Sequence, residues 1–257
     1  MLGRRAGWAR GYAGAMVLRV AVTGATGRMG RLVQGLVERE PDLGVAALLD
    51  SSSGMELLDG ADAVVDVSVP AASPGIVAAA LDRGIPVLVG TSGWTAERLA
   101  PLRTRLAGLP DLGVVVVPNF SVGSVLATRF AAVAARYFDS AEIIETHHPG
   151  KIDSPSGTAT RTAERMAESR AELGPMSAPH YDQRARGQTV ASIPVHSLRL
   201  PGVEARQDVV FGGTGETLTI AHETTSPRSY EAGILLALRA LPSARGLTVG
   251  LDSLLGL

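Results

Sequence analysis

Cysteine is absent from the 257 residues, which excludes a disulfide framework, a thiol nucleophile and thiolate metal ligands at once. Aromatic residues make up only 4%, too few for the stacking platform that single-stranded nucleic acid requires. The formal net charge of -1 gives no overall pull towards nucleic acid or an anionic membrane. No uncharged apolar run reaches the roughly 18 residues that cross a bilayer, so the chain reads as a cytoplasmic protein. Lysine and asparagine are almost missing. Of 24 basic residues 23 are Arg, which leaves Lys151 alone, and Asn119 is the single Asn. Where Arg has replaced Lys almost everywhere, the surviving ammonium and carboxamide mark positions whose chemistry the substitutes cannot perform.

What is present is core material. Hydrophobic residues are 46% and charged residues 19%, a globular balance for one large domain or two modest ones. Residues 1–17 carry Arg4, Arg5 and Arg10 without the apolar run of a secretory signal. They read as a disordered extension, or as an over-called start with Met16 the true initiator.

From residue 18 short Val/Leu runs alternate with helical periods. Strands are expected at 18–23, 45–49, 63–68, 87–89 and 114–117, with helices between them at 28–40, from 73 to Gly84, and from about 95. Nearly continuous apolar strands between helices predict a parallel sheet covered on both faces. The rhythm then changes to a long helix at 122–138, a strand at 141–146, a helix at 158–170 and an irregular loop at 174–187. Three strand-like runs at 195–200, 204–211 and 216–222 follow without helices between them, the pattern of an antiparallel sheet. A last helix is expected at 230–241, packing back on the first domain. The fold class is therefore α/β: a doubly wound, Rossmann-type parallel sheet domain plus a second α+β domain with a mainly antiparallel sheet. The first domain takes 18–121 and 226–257, and the second, for substrate and oligomerisation, takes 122–225.

The first strand runs straight into TGATGRMG, with Gly24, Gly27 and Gly30, and then a helix. Glycines let the backbone approach a pyrophosphate, and the helix N-terminus supplies partial positive charge. Asp50 follows 50 − 30 = 20 residues on, the spacing at which a carboxylate takes the adenosine ribose hydroxyls. Asp50 favours NADH, whereas Arg28 and Arg31 leave NADPH open. Loops after the later strands, VSVPAA, GTSGWT and PNFS, leave the sheet edge where such folds hold ligands. Asn119 in the last either meets ligand or caps the next helix.

The segment ETHHPGKIDSPSGT, residues 145–158, gathers two of the five histidines and the lone Lys just ahead of a helix. Imidazole and ammonium supply proton transfer and positive charge, and Ser156-Gly157-Thr158 opens a helix whose amides can hold a carboxylate. A small-molecule substrate bearing carboxylates is the expected partner. No metal site is expected, since HExxH spacing and cysteine are both missing. His180, His196 and His222 lack such a setting and read as structural.

TGATGRMG, GTSGWT, PNFSVG, ETHHPGKIDSPSGTA and the run LRLPGVEARQDVVFGGTGETLTIAHETTSPRSYEAG together resemble the dihydrodipicolinate reductase family, in order and from Leu18 to the end. The short loop at 174–187 is similar to its actinobacterial branch. The resemblance implies a cytoplasmic homotetramer that uses NADH and/or NADPH to reduce 4-hydroxy-tetrahydrodipicolinate, with loss of water, on the diaminopimelate route to lysine. It implies His147 as general acid/base and Lys151 as proton donor and charge neutraliser, with His148, Ser156, Gly157 and Thr158 binding the small-molecule dicarboxylate substrate. The implied dinucleotide residues are Gly24, Ala25, Thr26, Gly27, Arg28, Met29, Asp50, Gly90, Thr91, Ser92, Val117, Pro118, Asn119 and Phe120. Ser154 and Ser92 depart from the family's usual Ala and Thr without removing a charge, and Val69 stands where a more polar residue is common. Another nicotinamide-dependent imine or amino-acid dehydrogenase, and a redox-sensing binding module, are the competing readings. A sensor would have no use for His147 and Lys151 beside an anion-binding helix end.

Overall fold

The computed structural model describes residues 17–257, so the expectation for the first 16 residues lies outside what is described. The first sheet contains β1 (Leu18–Thr23), β2 (Leu43–Leu49), β3 (Ala63–Asp66), β4 (Val87–Val89), β5 (Gly113–Val116) and a late strand, β11 (Gly246–Val249). All pair in parallel, in the order β11-β5-β4-β3-β1-β2. Alternation along β1 explains the double cover. Val20 and Val22 point to one face, against Val33 and Leu36 of α1 (Arg28–Arg39) and Ile234 and Leu238 of α6 (Glu231–Ala240). Ala21 points to the other, with Ile76 and Ala80 of α2 (Ser73–Asp82) and Leu106 of α3 (Ala96–Ala107). Strands buried on both faces need apolar residues at every position, hence the unbroken Val runs.

The second sheet is β6 (Ser140–His147), β7 (Gln188–Val190), β8 (Ile193–Arg199), β9 (Ala205–Gly213) and β10 (Glu216–Thr224), in the order β10-β9-β6-β8-β7. It is mixed: β6 pairs in parallel with β8 and antiparallel with β9. A parallel pair needs a long crossover, and residues 148–192, including α5 (Gly157–Ser169), provide it. Ile143, Val195, Val209 and Phe211 bury one face against α5 and α4 (Val122–Ala134). The helix expected at 122–138 stops at Ala134, because Phe138 leaves the helix to meet Phe211 at 5.4 Å between ring centroids. β7 and β11 were not expected. One is a three-residue polar edge and the other a four-residue strand opening on a glycine, both too short to carry a period. Among the described residues no helix is long and apolar enough to cross a membrane.

Candidate active site

The glycine loop follows β1 and is shaped by close approach. Gly24 sits at φ 75°, and a Cβ there would lie 2.6 Å from the Val67 carbonyl oxygen. At Gly30 a Cβ would lie 2.2 Å from the Gly24 oxygen, so α1 packs on the loop only without side chains. No side chain caps the first turn of α1 and no acid lies in it, which keeps its amides for an anion. The loop and helix end therefore fit a dinucleotide pyrophosphate. Asp50 ends β2 exposed, and its Oδ1 accepts from the Ser52 amide at 2.9 Å and from the Ser52 and Ser53 hydroxyls. Those hydroxyl and amide bonds hold its carboxyl below the usual range, and they leave Oδ2 for a ribose. Arg28 reaches to Glu204, ahead of β9, at 3.1 Å, which ties the loop to the second layer.

Asp66, at the end of β3, organises the neighbouring loops, a role the sequence reading missed. It is completely buried and accepts from Thr23 Oγ1 at 2.9 Å, the Ser68 amide at 3.1 Å, the Ser68 hydroxyl at 2.5 Å and the Ser73 hydroxyl. Trp94 Nε1 donates to that Ser73 hydroxyl at 2.9 Å. The backbone oxygen of Asp66 takes the Gly90 and Thr91 amides. One carboxylate thus fixes the ends of β1 and β3 and the loop after β4. An acid closing an otherwise apolar strand was the available signal.

On the second sheet Glu145 and His147 share one face of β6, as residues two apart must. Glu145 has no exposed surface. Its Oε2 accepts from His147 Nδ1 at 2.6 Å and Arg199 Nη1 at 3.0 Å, and its Oε1 accepts from Arg199 Nη2 at 3.0 Å and the Ser156 amide at 3.1 Å. Burial works to raise the Glu145 carboxyl, but hydrogen bonds from Arg199, Ser197 and His147 outweigh it and hold it below the ordinary range. Burial also pushes His147 below its ordinary value. Glu145 opposes this only in part, and Lys151 and Arg199 add to it. His147 is therefore neutral at pH 7, with its proton on Nδ1 towards Glu145 and Nε2 available as a base. Arg199, opposite His147 in the β6–β8 register, also donates to the backbone oxygens of Lys151 and Asp153, which shapes the loop.

The cleft between the two layers has two connecting lobes. The lobe of about 400 Å³ brings Thr91, Ser92 and Trp94 against His147, Lys151 and Gly157-Thr158. The lobe of about 260 Å³ holds Arg28, Met29, Gly90, Phe120, His222 and Tyr230. His147, Asn119, Pro118, Ser156 and Thr158 border both. Lys151 is closed on Asp153, at 2.8 and 2.9 Å to its two carboxylate oxygens. Ser156 is the N-cap of α5: its hydroxyl accepts from the Ala159 amide and its own amide is bound to Glu145. The free first-turn donors are therefore the amides of Gly157 and Thr158. Asn119 borders the cleft and braces the turn before α4, accepting from the Ser121 amide at 2.9 Å and donating to Ser124 Oγ at 3.0 Å, while Ser121 itself is the N-cap of that helix.

Seven predicted residues border neither lobe, among them Gly24, Ala25, Thr26 and Gly27 of the glycine loop. Val117 is buried in the first core. Asp50 borders neither lobe, and His148 borders neither and lies beside Gly150. In the other direction, His222, read as structural, borders the smaller lobe with Nε2 3.2 Å from Ser121 Oγ, and burial lowers its pKa.

Comparison with known proteins agrees across the whole described chain. Residues 18–120 match the family description "Dihydrodipicolinate reductase, N-terminus", and residues 123–255 match its "C-terminus" counterpart. A 4-hydroxy-tetrahydrodipicolinate reductase of Clavibacter michiganensis is 60% identical over 94% of this chain and 87% of its own length. One of Streptomyces griseus is 48% identical over 93% and 98%. The dipicolinate-bound dihydrodipicolinate reductase of Paenisporosarcina superposes with a TM-score of 0.80 at 31% identity, covering 93% of this chain and 99% of that one. An amine dehydrogenase of Mycobacterium smegmatis shares the fold alone, at 11% identity and a TM-score of 0.60. The chain belongs to the dihydrodipicolinate reductase family.

Proposed function

We infer that this cleft reduces 4-hydroxy-tetrahydrodipicolinate to tetrahydrodipicolinate with loss of water, on the diaminopimelate route to lysine. The observation that carries the reading is one convergence: a neutral imidazole backed by Glu145 and Arg199, an ammonium and a helix end with two free amides, all facing the loops that follow β4 and β5. A nicotinamide dinucleotide on the glycine loop supplies the hydride. The Gly157 and Thr158 amides hold a ring carboxylate, much as helix N-termini hold anions generally. His147 Nε2 takes the ring proton beside C4 and hands it to the departing 4-hydroxyl, which leaves as water, and the resulting conjugated imine is then open to reduction at C4. As hydride arrives, the electron pair moves to the ring nitrogen, and Lys151 beside it stabilises the developing charge. A proton taken up from solvent and delivered through Lys151 or His147 then reaches the ring carbon of the enamine, so one hydride and one proton enter and one water leaves.

Asp50 Oδ2 would take the ribose hydroxyls and favour NADH over NADPH, and Ala25, Thr26 and Gly27 would line the pyrophosphate. The second sheet supports a homotetramer: α4 and α5 pack on one face, while Ile144, Leu198 and Val210 lie on the other, outside that core among the described residues. The chain would work in the cytoplasm, where its reduced cofactor is supplied. Aspartate semialdehyde and pyruvate, condensed by the preceding synthase, provide the test. Addition of this protein should oxidise NADH or NADPH in step with condensation, and no oxidation of either would refute the reading. Lys151→Ala should lower turnover at least tenfold and leave dinucleotide affinity unchanged.

A further inference from the structure

We propose that Arg161 is a specificity-determining residue of the cleft, the cation that selects a second carboxylate on the ligand. This rests on the dicarboxylate reading above and extends it to a residue outside the 145–158 segment.

Arg161 lies on α5 four residues after Gly157 and three after Thr158, so all three share one helix face. From that face its guanidinium reaches across to the opposite wall, where Nη2 would lie 3.6 Å from a Cβ on Gly250. It borders the larger lobe together with Lys151, Gly157 and Thr158. The two cations there differ in what they already hold. Lys151 is engaged by both oxygens of Asp153, whereas Arg161, half-buried, makes no side-chain hydrogen bond or ion pair within the described residues. A fork of donors left without an acceptor at the wall of an anion-binding cleft suits a planar carboxylate better than an ammonium would.

Asp252 is the one carboxylate on the facing wall. A Cβ built on Gly250 would lie 2.8 Å from its Oδ2 and 3.6 Å from Arg161 Nη2, yet the two side chains form no ion pair. The pair thus frames an opening between α5 and the segment after β11. One carboxylate on the Gly157 and Thr158 amides and a second on Arg161 would span the lobe, with His147 and Lys151 between them.

The test is calorimetric binding to the protein saturated with reduced dinucleotide, using pyridine-2,6-dicarboxylate and pyridine-2-carboxylate as probes. Arg161→Met should weaken the dicarboxylate about 10- to 100-fold and the monocarboxylate less than about threefold, the size expected for one charge-assisted contact. Arg161→Lys should recover part of the loss, because it keeps the charge without the fork. Equal loss for both probes, or none for either, overturns the proposal. If Asp252→Asn weakens the dicarboxylate as much as Arg161→Met does, Arg161 is a clasp between the layers and the proposal also fails. Absence of turnover and of binding by the unaltered protein would instead refute the reductase reading itself.

Discussion

Glu145→Gln is the most informative single change, because an isosteric amide cannot do what the carboxylate does. Both oxygens of Glu145 face donors: His147 Nδ1 and Arg199 on one side, the Ser156 amide and Arg199 on the other. At the Oε1 position the new NH2 meets two donors that cannot change, the Ser156 amide and Arg199, whereas at the Oε2 position it meets Arg199 and His147, of which only His147 can change character. His147 can accept on Nδ1 by moving its proton to Nε2, so the base in the cleft becomes a donor. Lost general-base catalysis is worth about 10²- to 10⁴-fold in rate, so kcat should fall by about that factor. Arg199 keeps its charge without a full partner, and breaking a buried pair costs about 3–5 kcal/mol. Part of that is returned here because the Arg199 side chain keeps some exposure to solvent and its bonds to the Lys151 and Asp153 backbone oxygens. A drop in unfolding free energy of about 2–4 kcal/mol is therefore expected. The assay is the coupled oxidation of reduced dinucleotide, with the denaturant midpoint measured in parallel and dinucleotide binding as a control that should not move. A folded Glu145→Gln protein with kcat within about threefold of the original would refute the tautomer argument, since a general base contributes at least tenfold more.

Other consequences follow from the same geometry. Because burial lowers the His147 pKa from 6.5, kcat should be flat at neutral pH and fall only as pH drops below that value and Nε2 gains a proton; a rate that rises on acidification would contradict a basic role. Gly24→Ala combines φ 75° with a Cβ at 2.6 Å from the Val67 oxygen, so it should destabilise by at least about 1–2 kcal/mol and weaken dinucleotide binding, as melting and titration would show. Asp66→Ala leaves one half-buried amide and three hydroxyls without their acceptor; a loss of about 2–4 kcal/mol is expected in denaturant unfolding, with a raised KM for dinucleotide and altered Trp94 fluorescence. Asp50→Ala should weaken NADH about tenfold and NADPH much less, and an unchanged ratio of the two would remove Asp50 from the ribose site.

How far the sequence carried depended on whether a signal was local. The unbroken Val runs of β3, β4 and β5 and the glycine loop announced the parallel sheet, because burial on both faces and close backbone approach each leave a mark within a few residues. The 145–158 segment likewise placed His147, Lys151 and the start of α5 in one stretch. What stayed hidden was long-range pairing. Arg199 meets Glu145 only because β8 lies parallel to β6, and no spacing in the chain encodes that neighbour. The same holds for His222, brought beside Ser121 from the far strand of the second sheet, and for β11, which the first sheet recruits from the end of the chain. Ser156 shows the converse: its type suggested a ligand contact, while the cap it forms for Ala159 and the bond from its amide to Glu145 depend on the fold; its hydroxyl hydrogen remains to donate into the cleft.

The central claim is that an imidazole, an ammonium and a helix end hold a doubly charged ring between the two layers. A crystal structure of the protein with NADH and pyridine-2,6-dicarboxylate tests it most directly. One carboxylate should accept from the Gly157 and Thr158 amides, with the ring between His147 Nε2 and the nicotinamide. A ring bound away from α5, with those amides left to solvent, would contradict the account.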